Sequence, residues 1–403
     1  MRKKTIIIIT IVSIIFVIIL FSIIKQSIWN YKVSHAKKIV ELDNNVIQVF
    51  EKNVKIKSLI SKINGKLNTN PTIDTTKIGK QKIKFKYTTD EGYPVDYEVE
   101  VKVVDEVPPI IETSNKTVTV GYEDDIEKEL LCGDNYDPNP TCKIEGKYDL
   151  NTPGRYNVKF IGIDSSKNQT TSNLTIIVKE KITSNNDNNS SDNNYTSFEE
   201  IKEKYKDENT KIGIDVSHWQ EDIDFQKVKD AGVEFVYIRV GRGDGVGKGY
   251  VEDRKFERNI KGFNKVGIPV GIYFYSNANG VKDAENEVKW IVNKIKNYKV
   301  DLELVFDWEN WKYFQEYDLS FYTLTETAKA FDKAAKKYGY KGMLYSSKYY
   351  LENMWFTNDI TTWLAHYTEH TNYQGKFKVW QLCEDGKVDG ISTNDVDIDI
   401  MYK

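Results

Sequence analysis

No charge of one sign dominates this chain. Its 403 residues carry 57 Lys plus Arg against 60 Asp plus Glu, a formal net charge of -3. So small an imbalance argues against a dedicated nucleic-acid binder or any other phosphate-rich partner. Histidine is scarce too. His35, His218, His366 and His370 show no metal-ligand spacing with one another or with the cysteines, so neither a metal nor another cofactor is expected. Only three cysteines occur. Cys132 and Cys142, ten positions apart, would close a short loop as a disulfide in an oxidising compartment. Two unpaired thiols remain open, because spacing does not fix their Cα separation. Cys383 is expected to be a buried, inert thiol. A phosphate-binding GxxxxGK loop is missing, and glycine-rich Gly241 to Gly249 lacks dinucleotide spacing, which leaves a rim loop. Ser217 has no acid–base partner that would make it a nucleophile and is expected to be structural.

What is present is enough apolar material for several cores. With 40% hydrophobic, 13% aromatic and 29% charged residues, the chain is not disordered, and its length predicts two or three folded units. The mean hydropathy is -0.54, yet Thr5 to Ile24 is an uncharged apolar run of 20 residues. At about 1.5 Å per residue it spans the roughly 30 Å hydrocarbon layer. Arg2, Lys3 and Lys4 precede it, which predicts a cytoplasmic tail (1–4), a transmembrane helix (5–24) and an exported remainder. The competing reading is a cleaved signal peptide, whose apolar core is shorter, about 7 to 15 residues. Lys25 and the interfacial aromatics Trp29 and Tyr31, within a juxtamembrane segment 25–39, favour the anchor.

Between residues 40 and 180 apolar and polar residues alternate, as in Lys82 to Tyr87 and Tyr97 to Val103, the period of half-buried strands. Asp74 to Phe85 aligns without gaps to Asp149 to Phe160, a period of 75 residues that suits a small β-sandwich. Val107-Pro108-Pro109-Ile110, the turn Gly154-Arg-Tyr156-Asn-Val158, and Ile163-Asp164 before Lys167-Asn168 carry a resemblance to the Ig-like domains of bacterial surface proteins. That resemblance implies two all-β spacers, 40–107 and 108–180. The Asn-rich run Thr183 to Tyr195 predicts a flexible linker (181–210) from which the following domain can sweep a volume.

From Lys211 the pattern changes. Continuous apolar strands at 212–217, 235–240, 270–275, 302–306, 342–346, 362–366, 378–382 and 396–401 alternate with helical segments. Val281 to Ile295 and Leu324 to Tyr338 show three- and four-residue apolar spacing. Eight strands with helices in the first five connections predict an irregular, TIM-like β/α barrel, whose working residues gather where the strands end. Four acids lie there: Asp215, Asp307, Glu309 and Asp397. In Asp307-Trp308-Glu309, residues i and i+2 of a strand face one side about 6.5 to 7 Å apart. Both carboxyls would then enter the barrel mouth, with Trp308 packed outward against helices. Two such carboxyls suit glycoside hydrolysis, one as proton donor and one opposing the positive charge on the sugar, and crowding raises their pKa values. A chance triplet on a solvated strand end is the alternative; Asp215 and Asp397 at matching ends weigh against it.

Residues 211–403 resemble the glycoside hydrolase family 25 lysozymes, the Chalaropsis-type N-acetylmuramidases. The resemblance is carried by Gly213-Ile-Asp215-Val-Ser217-His-Trp219-Gln220, Gly267-Ile-Pro-Val-Gly271-Ile-Tyr273, Phe306-Asp307-Trp-Glu309, Leu344-Tyr345-Ser346, Trp363-Leu-Ala365-His-Tyr367, Trp380-Gln381, and Val388-Asp-Gly390-Ile391 leading to Val396-Asp397. It implies hydrolysis of the β-1,4 bond between N-acetylmuramic acid and N-acetylglucosamine in peptidoglycan. Glu309 would be the general acid, and Asp307 would stabilise the intermediate or orient the 2-acetamido group. Asp215 and Asp397 would shape the electrostatics and hold the sugar. Acetamido-assisted and covalent routes both remain open. Tyr275, Tyr345, Trp363 and Trp380 are candidates for stacking on sugar rings, with Gln381 beside them, although each aromatic fits a core position equally well. Two departures from the family pattern are Arg239-Val-Gly241-Arg242-Gly243 after the second strand and Asp399, where Asn is common.

The expected protein is therefore a membrane-anchored muramidase whose partners are peptidoglycan strands and, through residues 5–24, the membrane, acting locally on the cell's own wall. The alternatives are a catalytically weak peptidoglycan-binding scaffold of a surface or transfer apparatus, which Asp307 and Glu309 disfavour, and a chitinase, which the Asp215-Val-Ser-His-Trp219 stretch disfavours.

Overall fold

A 33-residue helix, Arg2–Ser34, opens the chain. Within its Ile6–Ser34 stretch an 18-residue window has a mean hydropathy of 3.4 and no burial within the protein, which makes the helix long and apolar enough to cross a membrane. The hydroxyls of Thr10 and Ser22 bond back to the carbonyls of Ile6 and Ile18, each at 2.9 Å, so neither is left unpaired on an apolar rod. The helix runs ten residues past the expected span (Ile24 to Ser34). The computed structural model describes residues 2–180, 195–356 and 359–403, in two units, Met1–Glu106 and Val107–Lys403.

In the first unit the alternating runs form a long hairpin, Gly79–Thr89 against Pro94–Val104, flanked by Gly65–Leu67 and by Val46–Gln48, the latter parallel. Phe85, Tyr87, Val95 and Ile56 fill its core. The second unit begins with the same plan. Gly154–Ile163 pairs with Gln169–Lys179, flanked by Thr141–Glu145 and, in parallel, by Lys116–Thr119. The sequence repeat has a structural cause. Asp74 and Asp149 each accept a bond from the backbone N–H two residues on, at 2.9 Å. Each thus fixes the turn into its long strand, whose seventh residue, Phe85 or Phe160, is buried. Cys132 and Cys142 are joined by a disulfide across 6.3 Å of Cα separation.

The rest of the second unit is a barrel-like sheet. Its strands are β1 (Thr210–Val216), β2 (Val236–Gly243), β3 (Val270–Tyr275), β4 (Leu304–Asp307), β5 (Gly342–Ser347), β6 (Thr362–Ala365), β7 (Val379–Lys387) and β8 (Val396–Tyr402). Neighbours pair in that order, and β8 closes the ring by bonding to both β7 and β1. Helices Phe225–Asp230, Phe256–Val266, Val281–Ile295, Phe321–Lys337 and Lys348–Asn353 occupy the first five connections, where the sequence pattern places them. The sheet is not wholly parallel: β8 runs antiparallel to both neighbours, so its beginning, not its end, lies at the mouth with the ends of β1 to β7.

Two expectations change. Residues 181–194 of the expected linker lie outside the described residues, but 195–210 belong to the barrel. Thr196–Ser197 pairs with Gly386 and Lys387, and helix Phe198–Tyr205 buries Phe198 and Ile201 in the barrel core. The barrel is also docked on the β-region before it, because Leu131 and Ile110 join the barrel's own apolar cluster.

Candidate active site

The four expected carboxyls converge. Asp215 is the penultimate residue of β1 and sits opposite Asp397 on β8, while Asp307 ends β4 opposite Tyr275 and Tyr345. With Glu309 they line a cleft of about 270 Å³ shared with Arg239, Tyr273, Tyr275, Tyr345, Trp363, Tyr367, Gln381 and Glu384. A larger hollow of about 910 Å³ lies on an open sheet face of the first unit. Its acids, Asp96 and Glu98, are exposed and paired with lysines, so it holds no comparable chemistry.

The triplet differs from expectation in one respect. β4 ends at Asp307, so Glu309 lies just past the strand with an edge open to solvent. Trp308 is fully buried, but against Trp311, Phe314 and Tyr317 of the following loop, with Nε1 donating to the Ala278 carbonyl at 3.3 Å. Behind Asp307, its carbonyl accepts from Ser276 N–H at 2.6 Å. The Ser276 hydroxyl in turn reaches Glu287 at 2.8–2.9 Å. Burial pushes Glu287 up to about 8, so at neutral pH it is a protonated prop rather than a charge.

The cleft's charges are coupled in pairs. Burial first, then the charge of Glu309, pushes Asp215 up to about 7, against the Gln381 amide, Arg239 and Asp397. Burial, with the charges of Asp215, Glu384 and Glu309, raises Asp397 to about 9. Asp397 thus keeps a proton and shares it with Asp215. The second pair behaves alike. Burial and the Glu309 charge hold Asp307 well above the carboxylate range, and the two acids are hydrogen-bonded. Desolvation by the cleft walls, aided by Glu384, also raises Glu309, while its bond to Asp307 opposes the rise. Four carboxyls with raised pKa values, set in two facing pairs, offer both a proton donor and an ionised acid.

Gln381 links the aromatics to this network. It donates to Asp215 at 2.8 Å and accepts from the hydroxyls of Tyr345 at 2.8 Å and Tyr367 at 3.1 Å. Of the stacking candidates, Tyr275 and Tyr345 line the cleft. Trp363 forms its floor, 2% exposed, with Nε1 on the buried Asp399 at 2.8 Å. Trp380 does not belong: it is buried on the other face of β7, bonding the His366 carbonyl and edging Tyr205. Adjacent strand residues face opposite ways, so Trp380 and Gln381 cannot both enter one cleft.

Sequence reasoning missed four lining residues. Arg239 is a cation inside an apolar strand run, anchored by Asp253 at 2.9 Å and opposing the acids' rise; that isolated charge was the available signal. Tyr273 and Tyr367 lie inside quoted motifs. Glu384 lies beyond the expected end of β7, where irregular register between Gln381 and Gly386 re-aims the strand.

Residues 214–391 match the glycosyl hydrolases family 25 profile. The chain is 27% identical over 183 residues to the autolytic lysozyme of Clostridium acetobutylicum, an alignment covering 45% of this chain and 52% of that relative. It thus spans about half of that curated relative's length. A 67-residue stretch, 17% of the chain, is 40% identical to lysozyme M1 of Streptomyces globisporus, covering 21% of it. Among solved structures, a family 25 glycosyl hydrolase of Bacillus anthracis superimposes with a TM-score of 0.43 at 20% identity, covering 53% of this chain and 95% of that one.

Proposed function

We propose that this chain, whose residues 214–391 form a glycosyl hydrolases family 25 domain, is a lysozyme that cleaves the β-1,4 bond between N-acetylmuramic acid and N-acetylglucosamine. The observation that carries the proposal is the pair of proton-sharing acids Asp307 and Glu309 at the mouth of the closed sheet, opposite the second pair Asp215 and Asp397.

Glu309, the acid nearest solvent, delivers the shared proton to the glycosidic oxygen as the bond to the muramic acid C1 breaks. Asp307, left ionised or bonded to the 2-acetamido group, opposes the positive charge at C1. Water then adds there and returns its proton to Glu309, so the acid is regenerated. Asp215 and Asp397 hold sugar hydroxyls, and Tyr275 and Tyr345 offer ring faces. The low-dielectric walls that raise these pKa values also strengthen each charge interaction in the transition state.

The remaining parts serve placement. The helix Arg2–Ser34 anchors the chain in the cell membrane with its N-terminus cytoplasmic, the two β-regions act as Ig-like spacers, and a TIM-like barrel meets the chain's own cell wall. A non-catalytic scaffold is not favoured, since a glycan grip does not require four mutually interacting acids, two of them, Asp215 and Asp307, buried. Purified peptidoglycan incubated with the full chain should release new reducing ends, and Glu309→Gln should release none. No release by the wild type would sink the enzymatic reading, and equal release by the variant would sink the role of Glu309.

A further inference from the structure

The β-region 107–180 meets the barrel at the loop that follows Glu309 and at the start of the helix after it. In this loop a 3-10 turn, Phe314–Tyr317, is bracketed by two non-glycine residues in left-handed conformation, Tyr313 (φ 63°) and Asp318 (φ 49°). Such residues are strained, and they persist when surrounding contacts over-determine them. The β-region supplies those contacts. The Glu129 carboxylate has no exposed side-chain surface and binds Lys116 and Tyr122 of its own region. From the loop it also receives the Tyr313 hydroxyl at 2.9 Å and the Lys312 ammonium at 3.1 Å. Burial works against its ionisation, but the four donors outweigh burial and hold it down at about 2. It is therefore a fixed anion.

Gly133 brings its backbone against the rings of Phe314 and Phe321, and a Cβ there would lie 2.7 Å from each. The carbonyls of Asp134 and Asn135 accept from the N–H groups of Phe321 and Tyr322, at 2.8 and 3.3 Å, the first turn of helix Phe321–Lys337. Phe314 in turn edges Trp308 at 5.8 Å between ring centroids, and Trp308 stands between Asp307 and Glu309 in sequence.

We propose that the segment Glu129 to Asn135 is a positioning element for Glu309: docked on the loop after β4, it fixes the height and direction of the acid over the cleft. Glu129 acts through Tyr313, Phe314 and Trp308 and touches no substrate. The catalytic part of this proposal rests on the reading of Glu309 as the acid.

The test uses the full chain in detergent with two variants, Gly133→Ala, which wedges the interface, and the pair Lys312→Met with Tyr313→Phe, which removes the loop's hold on Glu129. Both should lower kcat by about 10- to 100-fold, as expected for a displaced catalytic group. KM should stay near the wild-type value, and the basic limb of the kcat–pH profile should move. Hydrogen exchange should speed up at residues 308–320 while β1 to β8 keep their protection. Unchanged kcat and unchanged exchange in both variants would overturn the proposal. So would loss of protection throughout the barrel, which would make the interface a prop of the whole fold. If the wild type itself releases no reducing ends, the lysozyme reading fails separately. The positioning contact is then judged by exchange alone: a change confined to 308–320 upholds it, and no change refutes it.

Discussion

Asp215→Asn is expected to destroy activity and to stabilise the fold, and the size of the gain follows from the site. Asp215 is 4% exposed, and burial with the neighbouring Glu309 charge moves it from 3.8 to about 7. One pKa unit is worth about 1.4 kcal/mol, so the shift of roughly three units corresponds to about 4 kcal/mol. The sign follows from proton linkage. A raised folded-state pKa means that the native state holds the proton where the unfolded chain has lost it. The contribution is fully present below about pH 4 and is lost as pH rises through about 7. Asparagine keeps the shape, can accept the Gln381 amide bond of 2.8 Å and can donate to Asp397, but never charges. Wild type and variant should therefore melt together near pH 4, and at pH 8 the variant should be more stable by roughly 2–4 kcal/mol, or about 5–10 °C in Tm. Thermal unfolding of the full chain in detergent, followed by tryptophan near-UV circular dichroism at both pH values, measures this. A gain independent of pH, or a loss that deepens at pH 8, would refute the electrostatic account.

Asp399→Asn should leave hydrolysis unchanged and stabilise the barrel increasingly as pH rises past the ordinary carboxylate range, because burial holds this carboxyl well above that range while its Oδ1 accepts from Trp363. Trp363→Phe, by stripping that donor from a buried acid, should cost about 1–3 kcal/mol in denaturant unfolding. Replacing Cys132 and Cys142 by serine opens a loop with a separation of 10 residues and should cost about 3 kcal/mol in stability of the β-region, read as faster hydrogen exchange there. Glu287→Gln should be nearly silent, since the buried acid is already neutral, whereas Glu287→Ala should lower kcat by releasing Ser276 from behind Asp307.

The barrel's strand order and its first five helices were legible in the sequence because burial on both faces writes continuous apolar strands, and one-sided burial writes three- and four-residue spacing. The four acids were legible for a related reason: chemistry collects where strands end, and no apolar run explains a carboxyl there. What escaped depends on register and on distant contacts. Trp380 fits a sugar-stacking or a core position equally well by composition, and strand alternation, which separates it from Gln381, decides for the core. Glu384 was missed because a local shift in the β7–β8 pairing carries no compositional mark. Helix Phe198–Tyr205 reads by composition as part of a polar linker, although Phe198, Ile201 and Tyr205 keep helical spacing. The docking of Gly133 on Phe314 and Phe321 joins residues about 180 positions apart, and nothing local to either segment announces it.

The central claim is that the cleft cuts a specific glycosidic bond, and the identity of the sugar left at the new reducing end tests it most directly. Peptidoglycan digested by the full chain, reduced with borohydride and analysed by mass spectrometry should yield fragments ending in reduced N-acetylmuramic acid, with Glu309→Gln yielding none. Fragments ending in reduced N-acetylglucosamine, or peptide products with intact glycan strands, would contradict the account.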